Sequence, residues 1–148
     1  MARFQVKTDA NGRKYWDDFF VYSTSPVALA TAGSQASQQI NIEANSDFIW
    51  SSSCFFADIS GAAQTDSTRV IPLIGVSITD SGSGRNLFNR ESPLSAIAGY
   101  GSLPFVLPIE RFFEANSNIT VTFTNNSAGT AYANVQMSLI GIKRFYGG

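Results

Sequence analysis

Apolar residues in this chain recur with a period of two. Ile119, Val121 and Phe123 point one way while Thr120, Thr122 and Thr124 point the other. Ile74, Val76 and Ile78 alternate with Gly75, Ser77 and Thr79, and Ile40 and Ile42 alternate with Gln39, Asn41 and Glu43. Successive side chains of a strand face opposite sides, so apolar positions backed by small polar ones predict half-buried strands. Helical spacing is hard to find. The pattern predicts strands over 3–8, 15–22, 38–43, 47–56, 69–79, 85–89, 105–113, 118–125 and 131–143. In the last run Ala131, Ala133, Val135, Met137 and Leu139 share one face, and then Ile140 and Ile142 take the other around Gly141. A bulge near Gly141, or burial of both faces there, accounts for the slip. One short helical turn is expected within 90–101, capped by Ser92 with Pro93 in its first position.

Residues 1–33 alternate less clearly than the rest. Residues 28–38 are small, polar and nearly featureless, and Asn11-Gly12 signals a hairpin turn. This region reads either as an arm that leaves the body and packs on a neighbour or as an edge hairpin followed by a surface loop. The chain is therefore divided into an N-terminal arm or hairpin and loop over 1–38 and a body over 39–148, one domain overall. Within the body Glu43-Ala44-Asn45-Ser46-Asp47-Phe48-Ile49 is echoed by Glu114-Ala115-Asn116-Ser117-Asn118-Ile119. Asn tolerates the left-handed conformation, and Asn and Ser side chains bond nearby backbone amides, so each copy predicts a tight corner between strands. Nine short strands arranged in two similar halves predict an all-β sandwich, a jelly roll or related Greek key, with an extended N-terminal segment.

Composition narrows the function. At 148 residues the chain fits one domain with a sizeable core. Charged residues are only 14% and the net charge is −1, so neither a nucleic-acid partner nor a membrane partner is expected. Ser, Thr, Asn and Gln stand where charge is usually found, as in proteins whose surface mostly faces other proteins or sits outside cells. The single cysteine, Cys54, excludes an intrachain disulfide, and its apolar surroundings predict a buried, inert thiol. The start of the chain has no apolar signal region, so synthesis in a cytoplasm without secretion is expected. There is no histidine, which removes Ser-His-Asp and Cys-His catalysis and most zinc sites. The expectation is a non-enzyme with no cofactor and no metal.

Several strings resemble sites. Thr79-Asp80-Ser81-Gly82-Ser83-Gly84-Arg85 follows a strand and is glycine-rich, but it lacks the lysine and following helix of a phosphate loop and reads as a flexible turn. Glu110 and Glu114 share a strand face by spacing, whereas the adjacent Asp17 and Asp18 point oppositely; no acid pair across an aromatic groove stands out. Asn118-Ile119-Thr120 and Asn125-Asn126-Ser127 match the glycosylation sequon by chance. Tyr15, Trp16, Phe19, Phe20 and Tyr22 crowd one stretch and Trp50, Phe55 and Phe56 another. These serve the core, a protein interface or a sugar-stacking platform. As an interface the candidates are Tyr15, Trp16, Phe19 and Phe20, with Arg85 reaching a partner carboxylate.

Ile78-Thr79-Asp80-Ser81-Gly82-Ser83-Gly84-Arg85 followed by Leu87-Phe88 resembles a pattern of small capsid-associated proteins of tailed bacteriophages. Leu103-Pro104-Phe105-Val106-Leu107-Pro108, Arg111-Phe112-Phe113, Ala115-Asn116-Ser117-Asn118-Ile119-Thr120-Val121 and Ser138-Leu139-Ile140-Gly141-Ile142-Lys143 are similar to it as well. The resemblance spans about residues 39–145 and leaves the first 38 uncovered. It implies a cement or decoration protein of jelly-roll type on the virion exterior, a homo-oligomer (dimer or trimer) that bridges subunits of the major capsid protein. A tail, neck or fibre component and a carbohydrate-binding adhesion module are the alternatives.

Overall fold

The computed structural model describes residues 5–60, 72–100 and 103–147. Within them the alternating pattern forms eleven strands and one helix of four residues. The N-terminal strands are β1 (Lys7–Thr8), β2 (Lys14–Ser23), β3 (Val27–Leu29), β4 (Gln35–Asn41) and β5 (Asp47–Ile59). The middle holds β6 (Ile74–Asp80), β7 (Arg85–Asn86), β8 (Ser92–Pro93) and α1 (Leu94–Ile97). The chain closes with β9 (Phe105–Phe113), β10 (Asn118–Asn125) and β11 (Tyr132–Gly147).

The pairings nest. β2 pairs β11, β4 pairs β10, β5 pairs β9, and β6 pairs both β7 and β8, all antiparallel. The chain is one long hairpin whose early strands meet its late strands in reverse order. Wrapping that hairpin adds the pairs β11 with β5 and β10 with β6. Two sheets result, ordered β1-β2-β11-β5-β9 with β3 also on β11, and β4-β10-β6-β7 with β8 also on β6. This interleaving is the double Greek key of a jelly roll.

The inner faces of both sheets supply one core. Phe48, Phe113, Met137 and Leu139 from the first sheet meet Val76, Ile78, Ile119, Val121 and Phe123 from the second, all fully buried. Phe113 stacks on Phe48 and Trp50, with ring centroids 6.5 Å and 6.2 Å away, and Tyr22 meets Phe48 edge-on at 4.8 Å. Offset and edge-on ring pairs of this kind add about 1 kcal/mol each beyond the area they bury.

The two echoed corners are the two crossings between sheets at one end of the sandwich: β4 to β5, and β9 to β10. They lie against each other. Asn116 N–H donates to the Ile42 carbonyl, Ile42 N–H to the Ser117 carbonyl, and Ala115 N–H to the Asp47 carboxylate at 2.8 Å. Asn116 takes a positive φ of 67°, the left-handed conformation that the sequence anticipated. The expected slip at Gly141 is a bulge in which Ser51 of β5 is extra, between the pairs Ile140–Ser52 and Gly141–Trp50.

Other expectations change. The featureless 28–38 stretch holds all but the first residue of β3 and most of β4. β4 runs across residue 38, and β2 pairs β11 from Ser23–Ser138 to Lys14–Gly147, so 1–38 and 39–148 share strands in one sandwich. Asn11-Gly12 forms the β1–β2 turn, where Gly12 has φ 80° and Asp9 binds the amides of Asn11 and Arg13. α1 takes no side-chain cap; Pro93 precedes it, and the Ser92 hydroxyl donates to the Arg90 carbonyl instead. Of the predicted strands 3–8 and 69–79, residues 3–4 and 69–71 lie outside the described residues.

Candidate functional site

The outer face of the first sheet is unusually apolar. On β2 the outward residues are Tyr15, Asp17, Phe19, Val21 and Ser23; on β11 they are Tyr146, Arg144, Ile142, Ile140 and Ser138. Register carries each row further. Phe19 pairs Ile142, Ile142 pairs Ile49, and Ile49 pairs Phe112, so four apolar side chains cross four strands in one line. The next line is Val21, Ile140, Ser52 and Val106. Beside it β9 bulges: its pairing jumps from Arg111–Trp50 to Val106–Ser52, which sets Leu107, Pro108, Ile109 and Glu110 against the single Ser51.

Exposure separates this face from an ordinary strand surface. Phe19 is 69% exposed, Val106 69%, Ile109 84% and Phe112 46%. Single exposed apolar residues are common, but contiguous rows of them mark contact surfaces. One flank is charged yet internally neutralised. Arg144 grips Asp17 through Nε and Nη2 at 2.8 and 3.1 Å and lies 4.2 Å from the Tyr15 ring centroid. The hydrogen bond to Asp17 raises the Arg144 guanidinium above its ordinary value, against the opposing effect of burial. The other flank is Ser23, Ser138 and Cys54, with the two serine hydroxyls 2.8 Å apart.

The outer face of the second sheet differs in kind. Its rows are Gln35–Thr124–Gly75, Ser37–Thr122–Ser77 and Gln39–Thr120–Thr79, with Asn86 beyond Thr79. Neighbouring side chains bond to one another: Ser37 to Thr122 at 2.9 Å, Gln35 to Thr124 at 3.2 Å, and Thr79 to Asn86 at 2.9 Å. The molecule therefore offers one apolar face and one uncharged hydroxyl and amide face.

The five sequence candidates do not converge. Tyr15 and Phe19 are on the apolar face. Trp16 points to the inner side and stacks on Phe145, with centroids 5.7 Å apart and planes 10° apart. Phe20 also points inward, against the core, under the Lys143 ammonium 3.8 Å from its centroid. Arg85 is on the other sheet, in β7. Sequence reasoning missed Ile49, Val106, Ile109 and Phe112. The slip at Ile140 and Ile142 was the signal available for the face they share.

The remaining candidates resolve as structure. Asp80 ties the glycine-rich turn by accepting from the Gly82 amide and the Ser83 hydroxyl, each at 2.9 Å, and Arg111 reaches it at 3.9 Å. Glu110 falls in the β9 bulge and Glu114 beyond the strand's end. Asn125 of the second sequon is 1% exposed and binds the Leu29 and Thr130 carbonyls. Cys54 is half-buried on the outer face rather than in the core, 3.5 Å from the Tyr100 carbonyl, and burial pushes its thiol up.

In comparisons with known proteins, no family model matches this sequence and no curated protein does.

Proposed function

We propose that the chain is a virion structural protein, a capsid cement or decoration protein that binds the outer shell and stabilises contacts between subunits of the major capsid protein. The observation that carries this reading is a rigid jelly roll with two contact faces: the apolar line Phe19–Ile142–Ile49–Phe112, buried at Ile49 but exposed at Phe19 and Phe112 and extended by exposed Val106 and Ile109, and the uncharged hydroxyl and amide face of the other sheet. A surface of this kind gains free energy by being covered with protein, at about 25 cal/mol per Å² of apolar area. The resemblance of residues 39–145 to small capsid-associated proteins supports the same reading. Several modest contacts joined through one rigid body then hold neighbouring subunits with high avidity.

A tail, neck or fibre component would share the fold and differ in copy number. A sugar-binding module is less well supported, because Trp50 is 3% exposed in the core and Trp16 is stacked under Phe145. The test is the number of copies of this chain in purified particles, measured by quantitative mass spectrometry against the most abundant shell protein. Hundreds of copies in fixed ratio are expected. A handful per particle would move the chain to the neck or tail, and none would end the virion reading.

A further inference from the structure

We infer that the apolar outer face pairs with a second copy of this chain, sheet against sheet, about a two-fold axis that runs along the strands between β11 and β5. The inference rests on the proposed role as a surface-binding structural protein and deepens it by giving the apolar face to a second copy, which leaves the hydroxyl and amide face of each copy for the shell.

The argument is self-complementarity. A two-fold axis in that position lays β2 over β9 of the second copy and β11 over β5 of the second copy, and it keeps every row level. Phe19 then meets Phe112 of the second copy, and Ile142 meets Ile49 of the second copy. In the next row Val21 meets Val106 of the second copy. Each of these rows is level within one chain because the backbone register makes it so. The charges agree with the same axis. Arg144 and Asp47 are paired neighbours on β11 and β5, so the rotation brings Arg144 opposite Asp47 of the second copy, twice. Nε and Nη2 of Arg144 are taken by Asp17, which leaves Nη1 for that contact. At the solvated rim Asp17 comes opposite Glu114 of the second copy, and its bidentate bond to Arg144 keeps that acid neutralised. Isologous contacts of this kind, in which one patch serves both subunits, are the commonest route to a dimer. Aligned sheets packed face to face are also the geometry already used inside the sandwich.

Sedimentation velocity and a cysteine trap test the pairing together. At about 100 μM chain, even a dissociation constant of ~10 μM leaves most of the protein dimeric. The expected result is a dimer that Phe19→Lys and Phe112→Lys each weaken about tenfold or more, with the far-ultraviolet circular dichroism unchanged because both side chains face water in the single chain. In a Cys54→Ser background, the double variant Phe19→Cys, Phe112→Cys should be joined between copies by a short bis-alkylating reagent such as dibromobimane, because the backbones of stacked sheets stand about 10 Å apart, beyond the reach of a direct disulfide. The two positions are three strand spacings apart within one chain, roughly 14 Å, too far for the same reagent to link them internally. Ser37→Cys, on the opposite face, should remain unlinked. A monomer at that concentration, a dimer indifferent to both lysines, or linkage only through Ser37→Cys would overturn the pairing. So would a monomer whose shell binding is lost with Phe19→Lys, which would give the face to the shell. A monomer that still covers particles leaves the proposed function standing, and a dimer absent from particles removes that function and leaves the pairing.

Discussion

Gly141 shows how closely β11 and β5 approach. A Cβ at this position would overlap the Ile49 carbonyl oxygen, and the Phe48 ring stands 3.2 Å away. The obstacle is backbone, so the neighbours cannot rotate aside. Gly141→Ala is expected to cost about 3 kcal/mol, read as a lowered urea midpoint with unchanged slope. Asn125 is the polar counterpart. It accepts from the Ser127 amide and hydroxyl at 3.0 and 2.6 Å and donates to two carbonyls, so it shapes the β10–β11 turn from inside. Asn125→Ala removes these four bonds from a buried turn and should cost about 2–3 kcal/mol in the same assay. Cys54 gives a pH-dependent readout. Its thiol is held above its ordinary value by desolvation, so the native protein should alkylate much more slowly at pH 8 than after denaturation. The sign for stability follows from the same shift. The thiol contribution is complete below pH 9 and falls away as the pH climbs through the raised value, and Cys54→Ser should flatten that part of the curve.

Among the elements, β9 and β10 were legible to the residue, because Phe105–Phe113 and Asn118–Asn125 contrast sharply with the Asn, Ser and Gly around them. β4 was placed three residues late. Its outward residues Gln35, Ser37 and Gln39 face Thr124, Thr122 and Thr120, and its inward Ala36 is small, so the period-two signal is faint until Ile40. β3 has three residues and owes its strand form to β11 rather than to its own sequence. The candidate site was less legible than the fold. Which apolar residues share a row depends on the offset between strands far apart in the chain, and two bulges shift that offset. At the N-terminal edge, β1 adds only two residue pairs to β2. Deleting residues 1–12 should therefore preserve cooperative melting, with a decrease of a few degrees, and lower shell binding if the segment docks there. Equal binding by the truncated chain would remove this end from the contact.

Taken whole, the molecule separates its two surfaces: one apolar, one covered by hydroxyls and amides, with few charges on either. That separation explains a composition that looked anomalous. Low charge leaves both faces cheap to desolvate, which suits a protein whose surroundings are other proteins. The absence of histidine removes Ser-His-Asp and Cys-His chemistry, but no composition fixes which face makes contacts.

The position of β11 sets an order in time. It bonds β2, β3 and β5 together, yet it is formed by residues 132–147. During synthesis the strands made first have no central partner, and β2 waits for a segment more than a hundred residues downstream. Pairings of such long sequence separation form slowly. The nascent chain therefore passes through a stage in which open strand edges and the Phe19 side of β2 are unprotected, and its yield should depend on how quickly synthesis reaches Gly147.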